Sequence, residues 1–135
     1  MTESDTRFIN PDGLAPPPGY SNVVEVRGGR IVFIAGQTAS DRNGNLVGGS
    51  DLEAQADQAF RNLGIALDAA DLTARNLVKL TVFIRDMGAL AAYRRARDRF
   101  FASVSPPPAP AITLVEVAKL FAPEFLIEIE AIAAG

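Results

Sequence analysis

Two hydrophobic periods alternate along the chain. Val23-Val24-Glu25-Val26 predicts a strand, and Gly28-Gly29 supplies two positive-φ positions for a tight hairpin turn. The return strand is Ile31 to Gln37, whose unbroken apolar run predicts burial on both faces and leaves Gln37 at its end. Ser50-Asp51-Leu52-Glu53 reads as a capping box opening a helix over 51–70. Its apolar stripe is Leu52, Ala56, Ala59, Phe60, Leu63, Ala66, Leu67 and Ala70. Leu77 to Arg85 predicts a strand. Asp86 is a good cap for a second helix over 87–103, with Leu90, Tyr93, Ala96 or Arg97, and Phe100 facing inward. The proline run Ser105 to Pro110 ends it. Thr113 to Val117 and Leu126 to Ala133 read as the last strands. Residues 1–20, with Asn10-Pro11-Asp12-Gly13 and Ala15-Pro16-Pro17-Pro18-Gly19, read as irregular.

The predicted order is β-β-α-β-α-β-β, without repeat or linker. It describes one α+β domain over 1–135, a mixed sheet with two helices packed on one face. The other face poses a question. Strand alternation puts Leu126, Glu128, Glu130 and Ile132 on one side of the last strand and Ile127, Ile129, Ala131 and Ala133 on the other. The second set suits the helices. The first mixes carboxylates with large apolar groups, as expected of a surface covered in a homo-oligomer.

Composition narrows the chemistry. Among 135 residues there is no His, Cys or Trp. That excludes cysteine nucleophiles, His-based triads and disulfides. No acidic ligand loop appears, so no metal is expected. The net charge of -3 argues against nucleic acid as the main partner. The chain has no 18-residue apolar run and its polar first residues lack a signal-peptide core, so the expected location is cytoplasmic, away from membranes.

Proton transfer then falls to carboxylates, tyrosine or water. Glu128 and Glu130 are candidates, because a carboxylate beside apolar walls holds its proton longer and serves as acid or base. A solvated sheet face is the plainer alternative, and Glu116 is expected to be exposed. Tyr20 is either a ligand-binding hydroxyl or an aromatic plug for its loop. Arg94, Arg95, Arg97 and Arg99 are an anion- or RNA-binding run, or a solvated face paired with acids such as Asp98. No glycine pattern makes a phosphate loop.

Several segments resemble the RidA family, also called the YjgF or L-PSP endoribonuclease family. They include Asn10 to Leu14, Gly19-Tyr20-Ser21, Ile34-Ala35-Gly36-Gln37, Val78-Lys79-Leu80-Thr81-Val82-Phe83-Ile84-Arg85-Asp86-Met87, Val115-Glu116-Val117 and Ile127-Glu128-Ile129-Glu130-Ala131-Ile132-Ala133. The resemblance implies a chorismate-mutase-like fold and a homotrimer with an inner barrel of sheets, helices outside and small-molecule clefts between subunits. It implies cofactor-free hydrolysis of reactive imines and enamines to 2-keto acids and ammonia. Tyr20 matches the family's cleft tyrosine, and Gln37 and Ala35 match the strand end where Ser is usual in place of Ala35. Glu130 matches the acid that positions the water. The active deaminases carry a carboxylate-gripping arginine in a P-A-R-[ST] segment. Here that segment is Pro110-Ala111-Ile112-Thr113, so Ile112 replaces the arginine and Thr113 follows it. A paired charge-assisted contact contributes about 1.5–3 kcal/mol, so its loss weakens carboxylate binding roughly tenfold to a hundredfold. Arg94, and after it Arg97, is the candidate substitute cation. Three readings stay open, in this order: a divergent imine/enamine hydrolase acting on a substrate other than the usual 2-imino acid, a non-catalytic metabolite-binding trimer, and a ribonuclease or translation inhibitor.

Overall fold

A computed structural model describes residues 5–135. Its elements are β1 (Asp5–Ile9), β2 (Val23–Arg27), β3 (Ile31–Gln37), α1 (Leu52–Ala69), β4 (Leu77–Ile84), α2 (Leu90–Phe101), β5 (Ala111–Glu116) and β6 (Ile127–Ala134). Short 3-10 turns, Ala74–Asn76 and Met87–Ala89, precede β4 and α2.

Both helices start slightly later than the sequence suggests, α1 by one residue and α2 by three. The α1 cap is Asp51 rather than Ser50, its carboxylate accepting from the Glu53 amide at 3.1 Å. Asp86 caps the 3-10 turn, accepting from the Gly88 amide at 2.8 Å, and α2 begins after that turn. The amide of Met87 donates to the exposed Glu116 carboxylate at 2.9 Å, so that acid tethers the turn to β5. An aspartate can satisfy either register because only the free first-turn amides matter.

The main sheet runs β3-β6-β4-β5. β6 is antiparallel to both neighbours, and β4 pairs with β5 in parallel. Parallel pairing needs a crossover, and α2 supplies it. Leu80, Val82 and Ile84 of β4 and Ile127, Ile129, Ala131 and Ala133 of β6 point to the helices and are buried. They meet Leu52, Ala56, Ala59, Phe60, Leu63 and Leu67 of α1 and Tyr93, Ala96 and Phe101 of α2. Phe60 stacks on Phe100 with ring centroids 5.2 Å apart, joining the two helices. The buried Gln55 is fully satisfied. Its amide donates to the carbonyls of Gly49 and Glu124, and its oxygen accepts from the Leu126 amide at 2.9 Å. This one side chain fixes the loop entering β6 against α1.

Three expectations need correction at the N-terminal end. Asp5–Ile9, within the segment read as irregular, is a strand. It pairs antiparallel with β2, Phe8 opposite Val24 and Arg7 opposite Glu25. Residues 1–4 of that segment lie outside the described residues. A five-residue polar-apolar strand carries too little period to be told from a loop. Second, Gly28 and Gly29 do take positive φ, at 66° and 72°, but the strands they join do not form one ladder. The β3 ladder is with β6 and begins at the turn itself, where Arg30 and Gly135 exchange both backbone hydrogen bonds. β2 is drawn the other way, because the Ser21 amide before it donates to the Pro110 carbonyl at 3.0 Å, at the start of β5. Third, β3 is an edge strand buried on one face only. Ile34 is buried, whereas Ile31 and Phe33 are 58% and 76% exposed. An apolar run cannot distinguish burial by its own chain from a face left for something else.

Candidate active site

The uncovered side of the sheet gathers three of the residues that the sequence singled out, Glu130, Ala35 and Thr113. Strand register places Thr113 of β5 beside Thr81 of β4, and Thr81 beside Glu130 of β6. All three lie in one row and in the same phase of the pleat, away from the helices. A crevice of 480 Å³ opens there, lined by Phe33, Ala35, Lys79, Thr81, Glu130 and Ile132 among others. Glu130 is exposed and makes no ion pair among the described residues. Lys79 donates from Nζ to Thr113 Oγ1 at 2.7 Å. An acid, an ammonium and two hydroxyls therefore share a floor whose rims, Phe33 and Ile132, are apolar.

Glu128, the other acid of that phase, is half-buried over Gly36. A Cβ on Gly36 would stand 2.0 Å from Glu128 Oε2, so the glycine makes the room that this carboxylate occupies. The β3–β6 register also shifts between Ile34 and Gln37, at this glycine. The bulge re-aims the end of β3. Gln37 is half-buried opposite Ile129, and its amide folds back to donate to the Ala35 carbonyl at 3.0 Å. Ala35 itself lines the crevice.

Tyr20 stands elsewhere. It lines a second pocket, of 410 Å³, with Gly19, Asp98, Phe101, Ala102, Pro107, Pro108 and Ala109. This pocket shares no lining residue with the Glu130 crevice. The Ser21 hydroxyl donates to the Ala109 carbonyl, which moors the Tyr20 loop to the entry of β5. Ile112 also turns from Glu130. It pairs with the buried Leu80 and packs half-buried against the core, on the helix side of β5. Within one chain, then, Glu130, Ala35 and Thr113 come together, while Tyr20 and Ile112 do not join them.

The arginines of α2 divide in three. Arg94 is exposed. Arg95 and Arg99 both reach α1, donating to Glu53 at 2.9 and 2.7 Å, and Arg99 also pairs with Asp57. These hydrogen bonds, Arg95 first and then Arg99, hold the Glu53 carboxyl below its usual range. The pair is a helix–helix tie rather than a free basic face. Arg97 is buried on the inner stripe of α2, where its period places it beside Ala96.

Lys79 and Thr81 are site residues that the sequence reading did not select. The signal was present, since Lys79, Thr81 and Phe83 alternate with Leu80, Val82 and Ile84 and so mark the open phase of β4.

This architecture is a four-stranded mixed sheet with two helices on one side and a polar row on the other. The model of the family described as Endoribonuclease L-PSP matches residues 12–135. The Rid-family protein YyfB of Yersinia pestis has a solved structure that superposes with a TM-score of 0.86 at 38% identity, covering 96% of this chain and 98% of that one. A RutC family protein of Synechocystis is 36% identical over 120 residues, 88% of each chain. The 2-iminobutanoate/2-iminopropanoate deaminase of Salmonella typhimurium is 36% identical over 105 residues, 78% of this chain and 80% of that one. The chain belongs to the RidA/YjgF (L-PSP endoribonuclease) family, whose general role is imine-deaminase-type hydrolysis. Among the described residues no helix is long and apolar enough to cross a membrane.

Proposed function

We propose that the protein is a cofactor-free hydrolase of C=N bonds that acts on an imine or enamine other than the usual 2-imino acid. One observation carries the reading. Glu130 is a solvent-reachable carboxylate without an ion-pair partner among the described residues, set in a crevice with hydroxyls on one side and apolar rims on the other. An imine carbon is already electrophilic, so the protein's task is to orient substrate and water and move a proton. Glu130 takes a proton from water as its oxygen bonds to the imine carbon. The nitrogen takes up that proton, and the resulting carbinolamine collapses: its hydroxyl proton passes to the nitrogen as the C–N bond breaks, so ammonia leaves and the carbon becomes a carbonyl. Thr81 and Thr113 supply hydroxyls that hold the water or the developing alkoxide. Ile112 in place of the family's arginine disfavours a substrate carboxylate.

The same reading takes the working form as a homotrimer in the cytoplasm. Two features support the assembly: the exposed apolar residues of β3 on the uncovered face, and the separation of Tyr20 from Glu130 in one chain. A neighbouring copy would cover the first and bring its own Tyr20 to the second. That arrangement makes a composite cleft with Gln37, Ala35 and Thr113 at its sides, and leaves Arg94 free to reach the cleft mouth.

The test follows ammonia release from an uncharged imine generated in situ, beside 2-iminopropanoate. Acceleration of the uncharged imine, falling a hundredfold or more in Glu130→Gln, supports the reading. Faster decay of 2-iminopropanoate than of the uncharged imine overturns the substrate assignment. No acceleration of either, with saturable binding, moves the protein to a metabolite-binding role.

A further inference from the structure

Tyr20 is bracketed by two anchors, one on each chain neighbour. On its C-terminal side the Ser21 amide donates to the Pro110 carbonyl at 3.0 Å, and the Ser21 hydroxyl donates to the Ala109 carbonyl. These bonds tie the loop to the entry of β5. On its N-terminal side Gly19 rests on the guanidinium of Arg97. A Cβ on Gly19 would stand 2.6 Å from Nη2, 3.1 Å from Cζ and 3.4 Å from Nη1, so the loop backbone lies over the end of that side chain. Gly19 also has φ +79°, a conformation that glycine takes without steric cost.

The arginine under this loop is in an unusual setting. Arg97 lies on the inner stripe of α2 between Tyr93 and Phe101 and is only 7% exposed. Arginine is rarely buried to this degree unless its charge is paired. Here the pairing is slight. Among the described residues its side chain makes one hydrogen bond, from Nε to the Asp98 carboxylate at 3.0 Å, and the Asp98 side chain is 67% exposed. Its other contact is the Tyr93 ring, whose centroid lies 5.9 Å from Cζ. A methionine or leucine would fill the same space without taking a charge out of water. What neither supplies is a flat, rigid head. The bond to Asp98 and the seat against Tyr93 hold that head in one place, and it meets a glycine with no side chain to push it away.

We infer that Arg97 is a positioning residue: its guanidinium supports Gly19 and so sets where the Tyr20 ring and hydroxyl stand. The link to turnover rests on the hydrolase reading, in which a neighbouring copy brings its Tyr20 to the Glu130 crevice. One readout of the test therefore needs no turnover.

The chain has two tyrosines, Tyr20 and Tyr93. Full-length protein grown with meta-fluorotyrosine gives two fluorine NMR resonances, assigned with Tyr20→Phe and Tyr93→Phe. Arg97→Met, which keeps the stem and removes the flat head, moves the Tyr20 resonance toward that of free fluorotyrosine while the amide spectrum stays dispersed. Gly19→Ala, which pushes the loop off from the other side, does the same, and the two changes together add little to either alone. Arg42→Ala, on an exposed turn, leaves both resonances in place. In the imine assay Arg97→Met lowers kcat about tenfold or more. Combined with Tyr20→Phe it is no slower than Tyr20→Phe alone, whereas a merely structural role would slow both backgrounds equally. If Arg97→Met fails to fold, Arg97→Lys, which keeps the charge and loses the flat head, takes its place beside Gly19→Ala. An unmoved Tyr20 resonance, a kcat that the Arg97 variant leaves unchanged, or an equal loss of rate with and without the Tyr20 hydroxyl overturns the inference. If the wild type hydrolyses no imine, the hydrolase reading falls, and the fluorine spectra alone decide whether Arg97 places Tyr20.

Discussion

The two faces of β6 differ by a single residue step and do opposite things. Ile127, Ile129, Ala131 and Ala133 are buried under the helices, while Glu130 and Ile132 look out over an open crevice. On the covered face, exchange of any large group is felt by packing, because interiors are dense and leave no room to relax. On the open face the same sheet carries an acid, an ammonium and hydroxyl groups, and Glu130 and Lys79 make no ion pair among the described residues. The fold's stability is thus built on one phase of the strand and its chemistry on the other, so mutations should separate the two.

The largest separation is expected from the core. Ile129→Ala should cost about 2–5 kcal/mol in denaturant unfolding, with a cavity left between β6 and α1. Its open-face neighbour should behave in the reverse manner: Glu130→Gln should leave the unfolding midpoint nearly unchanged while C=N hydrolysis falls by a hundredfold or more. Equal stability losses in both would erase the distinction between the faces. Phe33→Asp sharpens it further. Phe33 is 76% exposed in the single chain. The substitution should therefore cost the isolated fold under about 0.5 kcal/mol, and light scattering should show the proposed trimer reduced to monomers.

A smaller effect tests the α2 side of the core. Tyr93→Phe removes a buried hydroxyl that has no hydrogen-bond partner among the described residues, and should be neutral or stabilising by about 1 kcal/mol. The wild-type hydroxyl titrates near 12 in the fold and near 10 when unfolded. Below pH 10 both states hold the proton. Above it the unfolded state loses its proton first, so stability falls as pH rises from about 10 through 12. Tyr93→Phe should flatten that decline. The smallest effect belongs to the helix tie. Arg99→Ala should lower stability by under about 1 kcal/mol at low salt and by less at high salt.

Much of this was legible before any coordinates. The phase of β6 could be read from Ile127-Glu128-Ile129-Glu130, because alternation has a period of two and one face was plainly apolar. Both helices and all strands from β2 onward lie where their periods put them, to within a few residues. The misjudged parts were those whose partners lie far away in sequence. β1 became a strand because β2 was available to it. The Gly28-Gly29 turn formed as expected, yet the strands it joins separate, because Gly135 and Pro110 compete for the backbone groups on either side. Arg97 and Arg94 are indistinguishable as residue types. The helical period put Arg97 near the inner stripe, and the packing of α2 shows that it lies beneath Gly19 while Arg94 is exposed.

The sequence by itself determined the class of fold, the family, the two faces of the sheet and the absence of histidine and cysteine chemistry. These follow from composition and from periods that local geometry imposes on any chain. Tertiary structure decided which residues share a pocket. It set Lys79 and Thr81 beside Glu130, moved Tyr20 and Ile112 away from it, and buried a guanidinium with donors to spare. Those outcomes depend on strand register and on which backbone groups find each other across long separations in sequence, and neither is written in the spacing of residues along the chain.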